Sequence, residues 1–127
     1  MRTIIRMLHD AATRFPNRAY ATKKTDEGWK PYTFADVDLL SDRVAAYLTA
    51  NGCIQGCAFG ILAEGRAEWV IGELGVLKSR GVSVPLSIKL TPDEIAFRLT
   101  HSEAKGIFAS SNTLENVCKA LAVMEKK

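Results

Sequence analysis

The sequence predicts an α/β fold: a three-layer sandwich with a mainly parallel sheet, plus a small N-terminal β-hairpin. Short apolar runs alternate with amphipathic segments of helical length through the second half of the chain, as in right-handed βαβ units. Residues 57–63 are apolar without polar alternation, which is typical of a strand covered on both faces. The 127 residues, 47% hydrophobic and 24% charged, suit one domain with its own core, so we expect residues 1–127 to form a single α/β subdomain.

The N-terminal part predicts a helix followed by the hairpin. After a Thr3 cap, apolar side chains recur at helical spacing until Pro16 stops the run. The residues of this stripe are Ile4, Leu8, Ala11, Ala12 and Phe15. Residues 19–24 and 29–34 predict two short strands, because the intervening "TDEG" supplies turn chemistry.

Residues 33–52 predict an amphipathic helix with defined ends. Thr33 is the N-cap, Asp36 completes a capping box, and Gly52 ends the helix in a left-handed conformation. The side chains expected to be buried are Val37, Leu40, Val44, Tyr47 and Leu48. We expect this helix to pack against the domain and to take no part in chemistry.

The strand at residues 57–63 is followed by a helix over residues 66–81. We expect this helix to end at Gly81 and to be buried widely. Gly72 and Gly75 lower its helix propensity, which favours close packing against a neighbour over a binding loop.

The last third predicts a strand, a helix, a strand and a helix in turn. In the strand at residues 82–86, Pro85 cannot donate a ladder hydrogen bond, so it indicates a strand end or an edge. The helix at residues 91–99 has three start signals: Thr91 as cap, Pro92 at the first helical position and Glu94 in a capping box. Residues 105–110 predict a strand and residues 112–127 a helix. The apolar side chains of this last helix are Leu114, Val117, Leu121 and Met124.

Composition and charge argue against several classes of function. The net charge of +3 arises from 17 basic and 14 acidic residues that are interspersed, whereas nucleic-acid binding needs a clustered basic stripe. Polar residues interrupt the N-terminal apolar stretch, so a signal peptide and a transmembrane span are not expected, and a cytoplasmic location is the default. Three cysteines, Cys53, Cys57 and Cys118, form an odd set that fits reduced thiols better than a disulfide framework.

The turn "AEGRAE" at residues 63–68 is the best candidate for phosphate binding. Gly65 is its only glycine, and neither a dinucleotide motif nor a P-loop is present, so Arg66 is interpreted as a surface or helix-start residue. Cys53 and Cys57 lie four residues apart, but no second pair of cysteines or histidines stands at zinc-ligand spacing. We interpret Cys57 as a half-buried residue at the start of a strand.

The remaining candidates are the histidines, Cys118 and the first helix. His9 and His101 are isolated and no nucleophile motif accompanies them, so His101 is interpreted as a cationic or hydrogen-bonding group near a helix C-terminus. Cys118 is expected beside the core. The first helix has arginines and an apolar face suited to a membrane surface, but Asp10 and the small alanines favour packing on the domain. We therefore predict no catalytic, cofactor-binding or metal-ligating residue in this chain.

Three stretches in order carry a family resemblance: "YTFADVDLLSDRVAAYLTANG", "GCAFGILAEGRAEWVIGELGVLKSRGVSVPLS" and "TPDEIAFRLTHSEAKGIFAS". As an ordered set they resemble the opening of the adenylate-forming (AMP-binding) acyl-CoA synthetases, and most nearly the long-chain fatty-acid–CoA ligases. The resemblance implies that the chain is the first subdomain of a larger acyl-CoA synthetase-like N-terminal domain.

The resemblance also implies what the full-length parent does. It would be an acid–thiol ligase that uses ATP, Mg²⁺ and CoA to convert a fatty acid to an acyl-adenylate and then to acyl-CoA. The family's phosphate loop, adenine motif, ribose-binding aspartate and lid lysine have no counterpart among residues 1–127. We therefore expect an inactive structural fragment that binds no cofactor itself.

The expected partners of such a fragment are the remainder of the parent polypeptide and, through exposed apolar surface, other copies of the chain. The parent would be cytoplasmic or peripheral at a membrane, and it would bind no nucleic acid. The alternative is a stand-alone, non-catalytic α/β binding or interaction module on the same scaffold.

Overall fold

The computed structural model describes residues 2–126. The helices in this part of the chain are α1 (Ile4–Arg14), α2 (Phe34–Ala50), α3 (Ala67–Lys78), α4 (Pro92–His101) and α5 (Leu114–Glu125). The strands are β1 (Ala19–Thr25), β2 (Gly28–Thr33), β3 (Ala58–Leu62), β4 (Val82–Pro85) and β5 (Gly106–Ala109). The order of helices and strands is the one that the sequence predicts.

Strand β3 is the centre of a parallel three-stranded sheet. The strand order is β4-β3-β5, and β3 pairs in parallel with both neighbours. All five residues of β3 are buried, as its unbroken apolar run predicts. Pro85 is the last residue of the edge strand β4, a position that tolerates its missing N–H. The predicted parallel sheet and the predicted place of Pro85 are confirmed.

Helices cover both faces of this sheet, which makes the fold a three-layer sandwich. On one face α4 and α5 share a core whose buried residues are Leu62, Leu86, Ile95, Ala96, Leu99, Val117 and Ala120. On the other face α2 and α3 pack around a cluster of Leu48, Phe59 and Val76. The first helix packs on α2 and α3, as expected, through a cluster of Leu8, Val37, Ile71 and Leu74. Within residues 2–126, no helix has both the length and the apolar character needed to cross a bilayer.

The hairpin and the helix caps follow local sequence chemistry. Strands β1 and β2 pair antiparallel around the predicted turn. Capping boxes form between Thr33 and Asp36 and between Thr91 and Glu94. Gly52 has a φ of +85°, the left-handed conformation expected of a glycine after a helix. These predictions are therefore confirmed.

Helix α3 ends earlier than the sequence predicts, and Gly81 is needed for a different reason. The last helical residue is Lys78, and the left-handed position is taken by Arg80, with a φ of 64°. A Cβ at Gly81 would lie 2.9 Å from the carbonyl oxygen of Cys57. The glycine therefore allows the start of β4 to approach the residue that precedes β3.

The buried face of α2 differs from the predicted stripe. Tyr47 is 67% exposed, although its spacing placed it among the buried residues. Ser41 is fully buried instead, and its Oγ donates a hydrogen bond of 2.6 Å to the carbonyl oxygen of Val37. Helix α3 packs along the row that contains Val37, Ser41 and Val44, so Tyr47 lies beyond the reach of this contact.

The terminal helices show the same kind of difference. Val117 and Ala120 are the buried residues of α5, whereas Leu114, Leu121 and Cys118 are exposed. Ala120 belongs to the core cluster that α4 and α5 share, whereas Leu114 and Leu121 do not. Of the stripe predicted for the first helix, Leu8 and Ala12 are buried, whereas Ile4 and the C-cap residue Phe15 are exposed. The prediction that Cys118 lies beside the core is wrong.

We expect alanine at Gly75 and at Gly72 to have opposite effects on stability. A Cβ at Gly75 would lie 2.3 Å from Cγ1 and 2.5 Å from Cβ of Val44, so α2 and α3 would have to separate. A Cβ at Gly72 would lie 3.8 Å from the Phe108 ring, an ordinary contact. Close packing is therefore confirmed as the reason for Gly75 and is not the reason for Gly72.

In urea unfolding, Gly75→Ala should lower the free energy of unfolding by about 2–3 kcal/mol through overpacking. Gly72→Ala should raise it by roughly 0.5–1 kcal/mol through helix propensity. A shift of the same sign in both variants would contradict the close approach of α2 to α3 at Gly75.

Candidate functional site

Polar side chains meet at the carboxyl ends of β3 and β5, the edge of a parallel sheet at which ligands commonly bind. Glu64 follows β3, and Ser110, Asn112 and Thr113 follow β5. Ser110 Oγ donates to Glu64 Oε2 at 2.7 Å, and Asn112 Nδ2 donates to Glu64 Oε1 at 3.2 Å. Thr113 Oγ1 donates to the carbonyl oxygen of Leu62 at 2.7 Å. These hydrogen bonds join the loops that follow the two strands.

Arg66 extends this group of contacts towards α3 and the hairpin. Its Nη1 lies 3.2 Å from Glu64 Oε1, and its Nε lies 3.1 Å from Glu68 Oε2. Lys23 of β1 reaches Glu68 Oε1 with its Nζ at 2.6 Å. Arg66 occupies the N-cap position of α3, so its interpretation as a helix-start residue is confirmed. We call the whole group the carboxyl-edge network; its members are Lys23, Glu64, Arg66, Glu68, Ser110, Asn112 and Thr113.

Both carboxylates of the carboxyl-edge network are favoured in their charged form. The hydrogen bond from Ser110, followed by one from its own backbone, lowers the pKa of Glu64. Burial acts to raise the pKa of Glu68, but hydrogen bonds from Lys23, the backbone and Arg66 outweigh burial and lower this pKa to about 2. The turn at residues 63–68 therefore presents two anionic groups at neutral pH.

This charge distribution is unsuited to holding a phosphate. An anion at the turn would meet the carboxylates of Glu64 and Glu68, and the guanidinium of Arg66 already contacts both of them. A Cβ at Gly65 would meet no atom within 4 Å, so this glycine is not required by a close approach. The arrangement supports the expectation that the turn binds no cofactor, and that expectation stays a prediction.

An apolar groove runs along β5 on the face covered by α2 and α3. We call it the β5 groove; its apolar and aromatic lining residues are Tyr32, Leu40, Val44, Tyr47, Ile61, Ala63, Trp69, Ile71, Phe108 and Ala109. Its charged lining residues are Arg43, Arg66 and Glu68. It consists of two adjoining cavities of about 370 and 380 Å³ that share Glu68 and Phe108. Among the described strands, β5 pairs with β3 alone, so its outer edge lies open beside this groove. A larger concavity of about 720 Å³ follows α1, and six of its seven lining residues are of polar or charged types.

The structure does not bring the two histidines together. His9 Nδ1 lies 3.2 Å from Asp38 Oδ2 and links α1 to α2. His101, at the end of α4, stacks on Phe97 with ring centroids 5.8 Å apart, so its contact is aromatic. Helix α1, which carries His9, and helix α4, which carries His101, lie on opposite sides of the sheet. In the part of the chain that is described, no group of three or more His, Cys, Asp and Glu side chains is placed to hold a metal ion.

The sequence analysis does not predict two polar features of the structure. A signal for the carboxyl-edge network is present in the sequence, because polar residues directly follow two predicted parallel strands whose carboxyl ends share an edge. The sequence contains no such signal for the burial of Lys78. Its side chain is 8% exposed, and its Nζ lies 2.7 Å from both Asp38 Oδ1 and Asp42 Oδ1, across 40 and 36 residues of sequence. Hydrogen bonds from Lys78 and His9 lower the pKa of Asp38 against the opposing effect of burial.

Comparison with known proteins now decides the family. A model of the AMP-binding enzyme family matches residues 8–127. The chain belongs to the AMP-binding enzyme family. This result confirms the family resemblance carried by the ordered stretches of sequence.

The relatives of this AMP-binding chain are much longer than it is. Long-chain-fatty-acid–CoA ligase FadD13 of Mycobacterium tuberculosis (strain ATCC 25618 / H37Rv) is 32% identical over 106 residues, which are 83% of this chain and 20% of FadD13. Tyrocidine synthase 2 of Brevibacillus parabrevis is 36% identical over 70 residues, 55% of this chain and 2% of that protein. A fatty acyl CoA synthetase structure from Mycobacterium tuberculosis has a TM-score of 0.80 at 27% identity, covering 91% of this chain and 22% of that one. The chain thus spans less than a quarter of the length of these relatives.

We expect acid to destabilise the fold through Glu68. Its pKa falls from an ordinary 4.5 to about 2 on folding, so its contribution is complete above pH 4.5 and is lost as the pH falls towards 2. Glu68→Gln should therefore flatten the dependence of the melting temperature on pH within that window. Glu27→Gln, in the exposed hairpin turn, is the matched control and should have the same pH profile as the unsubstituted chain. Parallel pH profiles for the unsubstituted chain and Glu68→Gln would contradict this role of Glu68.

Proposed function

We propose that this chain is the N-terminal structural subdomain, residues 1–127, of an ATP-dependent long-chain fatty-acid–CoA ligase. The parent would join ATP and a fatty acid into an acyl-adenylate and then pass the acyl group to the thiol of CoA. ATP, Mg²⁺ and CoA would be its cofactors, with Mg²⁺ and cationic groups neutralising the phosphates during attack by the carboxylate. Family membership supports this class of reaction, and the likeness to FadD13 supports a fatty acid as the substrate.

The observation that carries the structural role is the β5 groove beside an open strand edge. Parallel sheets are normally covered on both faces, and strand edges are normally paired, covered or blunted. Pro85 blunts the edge of β4, but β5 holds no proline and lies next to the exposed ring of Tyr47 and the half-buried ring of Phe108. The remainder of the parent polypeptide would add its next strand at β5 and fill the β5 groove.

The same surface accounts for the second expected partner. An apolar groove left open in the 127-residue chain would bury itself against another copy, so the isolated chain would self-associate through the β5 groove. The catalytic, cofactor-binding and metal-binding residues would all belong to the remainder of the parent. The carboxyl-edge network supports this division, because its polar atoms hydrogen-bond to one another and its turn carries two carboxylates. We place the protein in the cytoplasm, because three cysteines that are free in the structure fit a resting state with reduced thiols better than a disulfide framework.

Pyrophosphate exchange into ATP tests this proposal. The full-length parent should catalyse exchange that depends on a long-chain fatty acid, with weaker exchange for benzoate or amino acids. The 127-residue chain should catalyse none while retaining its helical circular dichroism. Exchange with amino acids alone would overturn the long-chain assignment and leave the reaction class in place. Pyrophosphate exchange or ATP binding by the 127-residue chain would contradict the proposal that residues 1–127 contain no nucleotide-binding site. A natural reading frame without a phosphate loop would favour the stand-alone binding module.

Two matched variants test the β5 groove in the same experiment. Tyr47→Arg puts a charge into the groove, whereas Leu114→Arg puts one on α5, where the side chain is 53% exposed. Tyr47→Arg should lower the melting temperature of the full-length parent by several degrees and weaken self-association of the 127-residue chain in sedimentation. Leu114→Arg should change neither result. Equal effects of the two variants would contradict a role for the groove as a packing surface.

A further inference from the structure

Two half-buried cysteines flank the turn that joins α2 to β3. Cys53 lies shortly after α2, and Cys57 directly precedes β3. The backbone N–H of Cys57 donates to the carbonyl oxygen of Ile54 at 3.1 Å, and Gly56 has a left-handed φ of +87°. Both cysteine side chains pack against one cluster, formed by Leu48, Phe59 and Val76. The turn therefore directs the two thiols to the same small apolar site.

The anchored backbone of this turn determines where the two thiols lie. Burial raises the pKa of the Cys53 thiol, and the neighbouring Cys57 acts in the same direction. The backbone is held on both sides: the N–H of Cys53 donates to the carbonyl oxygen of Leu48 at 3.1 Å, and the N–H of Val82 donates to that of Cys57 at 2.7 Å. A disulfide requires the two Cβ atoms to lie close together, and two side chains that pack on one cluster from an anchored turn suit this requirement.

We propose that Cys53 and Cys57 form a redox modification site, which closes to an intramolecular disulfide by exchange with a low-molecular-weight disulfide such as oxidised glutathione. The thiolate of one cysteine attacks a sulfur of the small disulfide, whose S–S bond breaks and releases one glutathione thiolate. The thiolate of the other cysteine then attacks the protein sulfur of the mixed disulfide, forms the Cys53–Cys57 bond and expels the second glutathione thiolate. The two protons lost by the cysteines end on two glutathione thiols, so two protein thiols are oxidised and one small disulfide is reduced.

The cross-link ties the end of α2 to the start of the central strand. It closes a short loop, which restricts the unfolded chain, so the oxidised protein should melt about 5 °C higher than the reduced protein. The half-buried ring of Phe108 packs on the same cluster as the two cysteines. The modification site therefore lies at the inner side of the β5 groove.

Intact-mass measurement and peptide mapping of the 127-residue chain after incubation with oxidised glutathione test this proposal. Cys118 is exposed on α5, in the opposite layer, and serves as an internal control for reactivity. The expected product carries one glutathione on Cys118 and has lost two hydrogens between Cys53 and Cys57. Separate glutathiones on Cys53 and Cys57, or two unreacted thiols there while Cys118 reacts, would overturn the proposal.

Single variants separate the cross-link from general oxidation. Cys118→Ser should still form the cross-link and show the rise in melting temperature. Cys53→Ser should keep a stable mixed disulfide on Cys57, Cys57→Ser should keep one on Cys53, and neither should show the rise. A cross-link between two chains in place of the internal one, or an equal rise in Cys53→Ser, would contradict the assignment.

Discussion

The burial of β3 on both faces is the constraint on which the rest of the structure depends. Ile61 and Leu62, which point to opposite faces, are each 1% exposed, so helices must cover the sheet on both sides. Gly60 lies between Phe59 and Ile61, and a Cβ there would stand 3.0 Å from a methyl group of Leu99. Helix α4 therefore packs directly over the backbone of this strand. The positions of the other helices and strands follow from this one strand.

The same strand determines where polar and apolar surface lie. Because β3 and β5 run in parallel, their carboxyl ends reach one edge, and there Glu64 and Ser110 hydrogen-bond to each other. Between α2 and α3, Lys78 binds Asp38 in a similar way. In both places charged groups join one part of the fold to another. The open apolar surface lies beside β5, which matches a scaffold that the rest of a longer polypeptide completes.

Local signals predicted most of this fold because they act over a few residues. The capping box of Thr33 and Asp36 spans four residues, and the apolar run of β3 spans five, so each is visible in a short window. The buried side of a helix depends on where its partner lies, so spacing alone predicts Tyr47 in the core although its side chain is exposed. The hydrogen bond between Glu64 and Ser110 spans 46 residues, so no local pattern contains it. The fold was therefore predictable in order and type, whereas the contacts of the candidate site depend on the three-dimensional arrangement.

Hydrogen exchange of the backbone amides, compared between the 127-residue chain and the full-length parent, tests the central claim most directly. If the remainder of the parent completes the sheet at β5, amides of Gly106–Ala109 should exchange more slowly in the parent. Amides of β3, which is already buried in the short chain, should be protected in both proteins. Equal protection of β5 in the two proteins, measured where the short chain is monomeric, would contradict the claim that this chain is a scaffold completed there by further sequence.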